Sequence, residues 1–562
     1  MAKQTTVSAQ EHAAAFSSKL RTVALIVVAF AFIMDLLDTT IVNVAIPTIQ
    51  TSLHASYSAI QWIVAGYSLT FALLLVTGGR MGDVFGYKKL FMIGVAGFTV
   101  ASLLDGVSVN SGMLIAARLL QGGFAALMVP QVMSLMQVMY KPEERGSING
   151  LFGALGGLSA SLGPIVGGLL IKWNVAGLDW RPLFLINIPV GLIALIMGFK
   201  YLPDGKSPHP LKLDLIGTGI IMVTMLLIVY PLIQGREMGW PAWSFVMLAA
   251  SIPTLALFAY WQQRKEKTDG SPLVLPSLFR NRSFSVGLAL NLLFELAMAG
   301  FFLTNTLVLQ IGLGFSAIHA ALTGLPIAVA IALVMALLGE KVIPKLGRLS
   351  FNIGTLLMAA GTVVVSLTLQ HYSSSVHSWQ LIPGLFLFGA GMGFAFGSLF
   401  AAVLNGVDAG HAGSASGTLN AIQQVGGAIG VAIVGVIFFG QLSSAAPQSF
   451  AKVEPQLQQQ LTAAHVPASA QPAILEGTRT CFIDRAKAKD PSTVPASCKQ
   501  VESGSKQLGG EIEKTALSAN VQNFSHAFRA VVYFDVAVMA AAFCLTFLLP
   551  RYFRAEAYNE TA

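Results

Sequence analysis

Long apolar runs separated by short polar stretches recur along the chain from its first thirty residues almost to its end. A run of about 18 or more apolar residues can cross ~30 Å of hydrocarbon as an α-helix. On that rule the pattern predicts fourteen spans, at about 22–46, 58–79, 89–109, 112–139, 147–171, 182–202, 214–234, 242–261, 283–311, 317–340, 350–370, 380–405, 414–441 and 527–549. The first run exceeds the length of a signal-peptide core and has no convincing cleavage site after it, so it reads as a retained helix. One long hydrophilic stretch, about 442–525, separates the last two spans and is expected to be a solvated loop. Within it, 448–464 and 499–520 have the spacing of short amphipathic helices.

Composition agrees with the pattern. Of the 562 residues 54% are hydrophobic and only 11% charged, where a soluble globular chain carries about 25% charged residues. The net charge of +8 invites a nucleic-acid reading, but the positions of the charges exclude it. Lys3, Lys19 and Arg21 precede the first span; Arg80, Lys88 and Lys89, then Lys141 and Arg145, Lys206 and Lys212, the segment Arg264 to Arg282, and Lys341, Lys345 and Arg348 fill alternate short loops. The intervening short loops hold only Lys172, Arg181 and Arg236. That asymmetry is the positive-inside pattern, and it places both termini in the cytoplasm. Thirteen spans precede the hydrophilic stretch, which therefore falls outside, where oxidation permits Cys481 and Cys498 to pair. The alternative is two unpaired thiols.

Small residues repeat between distant spans. Gly146-Ser147-Ile148-Asn149-Gly150 in span five is echoed by Gly413-Ser414-Ala415-Ser416-Gly417 in span thirteen; at that offset Gly163 falls on Gly430 and Gly168 on Gly435. Gly79 to Gly86 with Lys88 and Lys89 is echoed by Gly339 to Gly347 with Lys345 and Arg348. Internal repeats of this kind are a transporter signature. The division expected is a tail at 1–21, a six-helix half at 22–202, inserted helices seven and eight with their linkers at 203–282, and a second six-helix half at 283–562.

The chemistry lies in charges that interrupt the oil. Asp35 and Asp38 stand in span one, Arg118 in span four and Glu295 in span nine. Each costs at least ~2.5–3.5 kcal/mol near the bilayer centre, and such residues mark ion and substrate pathways. Asp38 and Arg118 fall at similar depth and are expected to pair. A carboxylate whose partner moves away takes up a proton more readily, which makes the pair a minimal proton switch; the alternative is a static pair that only holds helices together. Glu295 is an acid for the opposite wall of a central cavity. Phe294, Phe301 and Phe302 nearby offer aromatic surface for a lipophilic cation, or else simply pack. Gly163, Pro164 and Gly167 permit close helix approach and a kink. Asp83 either latches the two halves or only sets topology, while Lys88 and Lys89 meet anionic headgroups. Gly389-Ala390-Gly391-Met392-Gly393 lies inside an apolar span and follows no strand, so it is helix packing and not a nucleotide loop. The sequence has no P-loop and no zinc-type Cys/His spacing.

Five motifs, in order, resemble the fourteen-span drug:proton antiporter family of the major facilitator superfamily. They are Leu37-Asp38-Thr39-Thr40-Ile41-Val42-Asn43-Val44-Ala45-Ile46-Pro47; Gly79-Arg80-Met81-Gly82-Asp83-Val84-Phe85-Gly86-Tyr87-Lys88-Lys89; Arg118-Leu119-Leu120-Gln121-Gly122-Gly123; Gly163-Pro164-Ile165-Val166-Gly167-Gly168; and Trp180-Arg181 followed by Phe184-Leu185-Ile186-Asn187-Ile188-Pro189. The resemblance implies an all-α integral membrane protein with the major facilitator fold: two six-helix halves, two inserted helices, and a long external loop before the last helix. It implies a proton-coupled exporter of lipophilic, often cationic compounds in the bacterial cytoplasmic membrane, working by alternating access. Such a protein is not an enzyme, takes no cofactor, draws on the proton gradient, and acts among membrane lipids as a monomer without nucleic acid. Asp38, Arg118, Glu295 and Asp35 would couple the proton. Asp35, Glu295, Gln121, Gln310, Tyr67, Phe294 and Phe301 would line the substrate route. Gly79, Asp83, Gly86, Lys88, Gly163, Pro164, Gly167 and Gly168 would serve the conformational change. The chain departs from the family at Asp35, which is either a second cation site or a group in the cytoplasmic vestibule. It departs again in span thirteen, whose polar residues are Asn420, Gln423 and Gln424, with no acid. Two rival functions stand beside this one: export of a native lipid or secondary metabolite, and a receptor or scaffold acting through the external loop.

Overall fold

Each expected apolar run is helical in the structure, a computed structural model that describes residues 18–140, 142–207, 210–339, 342–405, 407, 412–488, 495–498 and 509–552. In chain order the helices are α1 (Ser18–Leu53), α2 (Tyr57–Phe85), α3 (Tyr87–Gly106), α4 (Ser111–Met139) and α5 (Pro142–Trp173). Then come α6 (Pro182–Tyr201), α7 (Leu215–Glu237), α8 (Ala242–Asp269), α9 (Arg282–Leu307) and α10 (Ala317–Leu338). The last are α11 (Arg348–Tyr372), α12 (Ser378–Leu404), α13 (Ala412–Ser444), α14 (Ala446–Ala463), α15 (Gln471–Lys487) and α16 (Gly509–Thr546). Among the described residues thirteen helices are long and apolar enough to span a membrane. The remaining expected span, 147–171, is the 32-residue α5. Lys3, Lys141 and Lys341 of the expected basic loops, and 499–508 of the second amphipathic segment, lie outside the described residues.

Local signals set the ends. Ser56 and Asn110 cap α2 and α4, accepting from Ala59 N at 3.2 Å and Met113 N at 2.8 Å. Gly86, at φ 102°, turns the chain between α2 and α3, and Gly347, at φ 54°, does so between α10 and α11. These glycines occupy matching places in the two halves, as the second sequence echo implies.

The first echo is matched contact by contact. A Cβ on Gly163 of α5 would clash with Thr40 of α1, while one on Gly430 of α13 would lie 2.9 Å from Leu296 Cα of α9. Each glycine thus seats its helix on the first helix of its own half. A Cβ on Gly168 would lie 2.7 Å from Ile318 Cα of α10, and one on Gly435 would clash with the Gln61 side chain of α2. Each of these packs on the second helix of the other half. The two halves, α1–α6 and α9–α13 with α16, are related by this exchange.

The basic loops mark one face of the bundle, and α14 and α15 cap the other. At the capped end a single apolar core joins Ile41, Ile49, Tyr57 and Ile60 of the first half to Phe301, Phe438 and Phe528 of the second. Toward the basic face the first half has its own core, including Val27, Phe91, Val132 and Ala194, with no member from the second half. Apolar packing therefore seals the halves at the capped end.

Helices α7 and α8 lie beside the α2–α13 seam. Thr77 of α2 bonds Thr218 of α7 at 2.8 Å, and Arg236 of α7 lies 5.4 Å from the Phe439 ring of α13. Arg80 anchors the linkers of this pair, donating to the carbonyls of Ser271 (2.8 Å), Lys212 (3.2 Å) and Pro272. Asp214, before α7, is buried at a cost to its ionised form, but Trp261, Gly217, Gln262 and Leu273 all donate to it and hold its carboxyl below the usual range. Side chains of α8 such as Val246 and Ile252 face outward, as suits contact with lipid.

Among its described residues the stretch 442–525 is largely helical. Helix α14 matches the expected 448–464, α15 was not expected, and α16 starts at Gly509 instead of 527. Phe450, Val453, Leu457, Leu461 and Ala519 form a core of their own, because their spacing sets one apolar stripe on α14 against α16. Cys481 and Cys498 are disulfide-bonded. Closing a loop of that size stabilises the cap by up to ~3 kcal/mol. Cys481→Ser is therefore expected to speed limited proteolysis within 464–498 of the purified protein while leaving transport within about twofold; an unchanged digestion rate would count against the bridge as the staple.

Candidate transport site

Asp38 of α1 lies at the centre of a buried network drawn from five helices. Its Oδ2 pairs with the Arg118 guanidinium of α4. Its Oδ1 accepts from Gln121 Nε2 at 2.9 Å and from Asn187 Nδ2 of α6 at 3.1 Å. Ser102 Oγ of α3 takes the second protons of these amides, at 2.8 Å from Gln121 and 3.2 Å from Asn187. Arg118 also donates from Nε to Ile63 O at 3.2 Å and from Nη1 to Gln121 Oε1. The guanidinium lies 4.3 Å from the Tyr67 ring, and the Tyr67 hydroxyl donates to Asp35. Asp38 is 1% and Arg118 2% exposed. Burying a charged pair is tolerable only when further hydrogen bonds satisfy the remaining lone pairs and protons, and this network supplies them. Gly122 lets α4 approach: a Cβ there would clash with Tyr67 O.

The pairing expected of Asp38 and Arg118 is thus present. Asp35 is buried against Tyr67 and does not face a vestibule. Gln121 and Tyr67, expected to line the substrate route, are both 0% exposed and belong to the ion-pair network. Gln310 donates to Val44 O at 3.1 Å across the halves, within the π-turn Val308–Gly312 that ends α9. It is part of the seal.

Glu295 has a different setting. It is 8% exposed and has no hydrogen bond or ion pair among the described residues. A Cβ on Gly426 of α13 would lie 2.9 Å from its own Cβ, so absence of a side chain there leaves the acid room. Glu295 precedes Leu296, the partner of Gly430, as Asp38 precedes Thr40, the partner of Gly163. The two acids sit at corresponding depths in the two halves. Phe301 stacks on Phe388 at 3.9 Å and is fully buried; Phe294 meets Phe396 edge-on at 5.4 Å and is 3% exposed. Both are packing residues here, because aromatic faces are satisfied by neighbouring rings before any ligand reaches them.

Among the conformational residues, Gly79 lies against Pro130 and Lys88 over the Phe199 ring at 5.9 Å. Asp83 faces Tyr87 and Arg80 of its own half, so it latches nothing in this arrangement. Pro164 sits inside α5 between the two packing glycines. A Cβ on Gly167 would lie 2.8 Å from Ile41 Cγ1.

Sequence reasoning missed four buried polar residues: Ser102, Asn187, Asp105 and, in α16, Asp535, which is 1% exposed. Asn187 stood in a quoted motif and Asp535 inside the last apolar run. Asp105 fell near the end of span three, where a charge reads as interfacial.

Residues 28–431 match the profile of the Major Facilitator Superfamily. The chain is 40% identical over 530 residues to a probable actinorhodin transporter of Streptomyces coelicolor, covering 94% of this chain and 92% of that protein. It is 32% identical to a tetracenomycin C resistance and export protein of Streptomyces glaucescens, covering 76% and 78% of the two chains. In fold it is similar to a bacterial homolog of the human lysosomal transporter Spinster, solved in an inward-facing conformation. The TM-score is 0.58 at 16% identity, over 96% of this chain and 100% of that one.

Proposed function

The chain belongs to the Major Facilitator Superfamily, and from that premise we propose that it is a proton-coupled antiporter that exports lipophilic, often cationic compounds from a bacterial cytoplasm. The observation that carries the reading is the buried Asp38–Arg118 pair together with Glu295, an acid at corresponding depth in the other half that has no partner among the described residues. Proton antiport needs a carboxylate that alternates between a counter-ion and a proton, and Asp38 has the counter-ion. It also needs a site that discharges its cargo, and Glu295 has the room.

The positive-inside rule supports a cytoplasmic assignment for the face with the basic loops, and for both termini with it. The capped end is then external, and the arrangement described is sealed outside. Rocking of the halves that parts the α5–α10 and α2–α13 contacts at the capped end would open it, as the close glycine packing of a repeat-built transporter allows. Asp83 and Arg80 would serve the opposite state, in which the basic face closes.

Ethidium efflux from pump-deficient cells tests the reading. Efflux is expected to be expelled-rate limited by the proton gradient, collapsing on addition of a protonophore; flux indifferent to the protonophore would refute coupling. In the same cells Glu295→Gln is expected to lower export of monovalent cations at least tenfold while neutral lipophilic compounds change less than threefold. Equal losses for both classes would remove Glu295 from cation recognition.

A second reading has one observation in its favour: the relative matched over 94% of this chain is named for a single compound. The chain would then be dedicated to one native metabolite, with drugs incidental. No ethidium efflux from a correctly inserted protein would favour it. Deleting 445–520 separates both from a scaffold, which would lose all function where a transporter keeps some flux.

A further inference from the structure

Asp105 is the residue of the first half that the Asp38–Arg118 pair leaves unexplained. It is 0% exposed, and neither carboxylate oxygen has a hydrogen-bond partner among the described residues. Its position follows from helix register. Helices α3 and α4 run antiparallel, and Ser102 of α3 bonds Gln121 of α4 at 2.8 Å. Three residues further along α3 is Asp105, and three residues back along α4 is Arg118. Residues so spaced share a helix face, so Asp105 stands level with Arg118, and the two interact electrostatically, as do Asp105 and Asp38. Asp105 is also the network's outermost acid. Helix α3 ends at Gly106, and Val109, three residues beyond that end, is 74% exposed on the capped face.

One guanidinium therefore stands between two carboxylates, and it is bonded to only one. From these positions we propose that Asp105 is an outer proton-relay residue: it takes a proton from water at the capped face and passes it to Asp38. The proposal rests on the antiport reading above. Charge is conserved in the exchange. The proton leaves an Asp105 oxygen for an Asp38 oxygen, Arg118 loses its pairing to Asp38, and the guanidinium turns to the newly ionised Asp105. Arg118 remains neutralised throughout, and Asp38 becomes free to leave its helix neighbours. An ionised carboxylate sealed from water without a donor is not sustained, which is why the paired arrangement seen here requires the proton to be on Asp105.

The other charged groups near this path are few. Asp35, on α1, is held by Tyr67 of α2 on the inner side. Arg181, beside α6, donates to Ser108 O at 3.2 Å and lies 4.8 Å from the Trp180 ring, on the outer side. Trp180 Nε1 is itself buried and unpaired, a polar group at the same end of the half that a transient water would satisfy.

The experiment follows ethidium efflux at external pH 6, 7 and 8 in cells expressing the wild type, Asp105→Asn or Asp105→Glu, with membrane abundance and ethidium binding to the purified proteins measured alongside. The wild type is expected to slow as external pH rises. Asp105→Asn is expected to lose at least tenfold of the rate at pH 6 and to become flat with pH, while binding ethidium within about threefold of wild type. Asp105→Glu is expected to recover the rate and to move the pH midpoint upward. Asp105→Asn with the wild-type rate and slope overturns the relay, as does a matching loss of binding and efflux that Asp105→Glu does not rescue. If the Asn substitution fails to insert, the Glu substitution decides, and a midpoint identical to wild type overturns the proposal. A wild type without pH dependence overturns the antiport reading itself, and this inference with it; a coupled wild type beside an unaffected Asp105→Asn overturns only the relay.

Discussion

Asp38→Asn is expected to lower gradient-driven efflux by about a hundredfold or more, and to lower the melting temperature as well. Both losses follow from the same contacts. Asp38 accepts from Arg118, Gln121 and Asn187, and an amide in its place offers only one acceptor atom to these three donors. It also takes from the guanidinium the carboxylate to which it is bonded, and breaking a buried pair from one side costs ~3–5 kcal/mol. A fall in transport alone would not separate a proton switch from a static pair, since an unstable protein also transports poorly.

The double variant Asp38→Asn/Arg118→Gln makes that separation. Removing both charges together is nearly neutral for stability in many proteins, because desolvation of the pair had cancelled much of its attraction. The double variant is therefore expected to recover most of the melting temperature. A pair that only holds helices together would recover transport with it. A switch would not, because no group remains that can exchange Arg118 for a proton. Recovery in the double variant is expected in stability and absent in transport, and a double-mutant cycle reads both. Restored, protonophore-sensitive efflux in the double variant would end the assignment of Asp38 as the coupling acid.

The membrane helices were legible because hydrocarbon imposes its thickness on sequence: a run either is long enough to span or is not. The Asp38–Arg118 pair was legible because charges in such runs are costly enough to be few, and two at one depth with opposite sign have an obvious resolution. The repeat was legible through Gly163 and Gly430, and Gly168 and Gly435, since close helix approach tolerates little besides glycine. What the sequence did not disclose lay where that stringency relaxes. Asp105 carried no signal because helix ends meet water in most spans, where a charge is ordinary, and only tertiary packing by α4 shows it buried. Gln121 and Tyr67 carried no sign of whether they faced a cavity or the ion pair, because their helices bear buried positions on several sides. Phe294 and Phe301 were ambiguous for the same reason. Helix α15 was missed since its face toward α14 needs only Ile474, Leu475 and Phe482, too few for a period to show. The start of α16 was placed too late because residues 509–526 are polar, and the helix persists there by packing on the cap instead of on lipid.

Gly168→Ala is expected to reduce transport at least tenfold, and Gly435→Ala, its counterpart in the repeat, by no more than about threefold. The repeat alone would make these substitutions equal. The obstacles differ. At Gly168 the added methyl lies 2.7 Å from Ile318 Cα and 3.0 Å from Ile318 N, backbone atoms of a helix that can yield only by moving as a whole. At Gly435 it meets the amide end of the Gln61 side chain, which can turn aside within a rotamer change. Overpacking against a rigid wall costs ~1–3 kcal/mol. Because the α5–α10 contact joins the two halves at the capped end, that cost falls on the sealed arrangement and is relieved when the halves part there. A bias of ~1–3 kcal/mol shifts the balance between two states by about 5- to 150-fold, so the Gly168 variant should rest with its capped end open. Spin labels at Asn174→Cys and Ser375→Cys, both exposed positions at that end on opposite halves, would report it in a Cys544→Ser background. The Gly168→Ala protein is expected to show a longer, dominant distance, and Gly435→Ala a distribution near wild type. Equal distributions for the two, or a Gly168 variant that transports normally, would mean that the α5–α10 contact is not the seal on which the alternation turns.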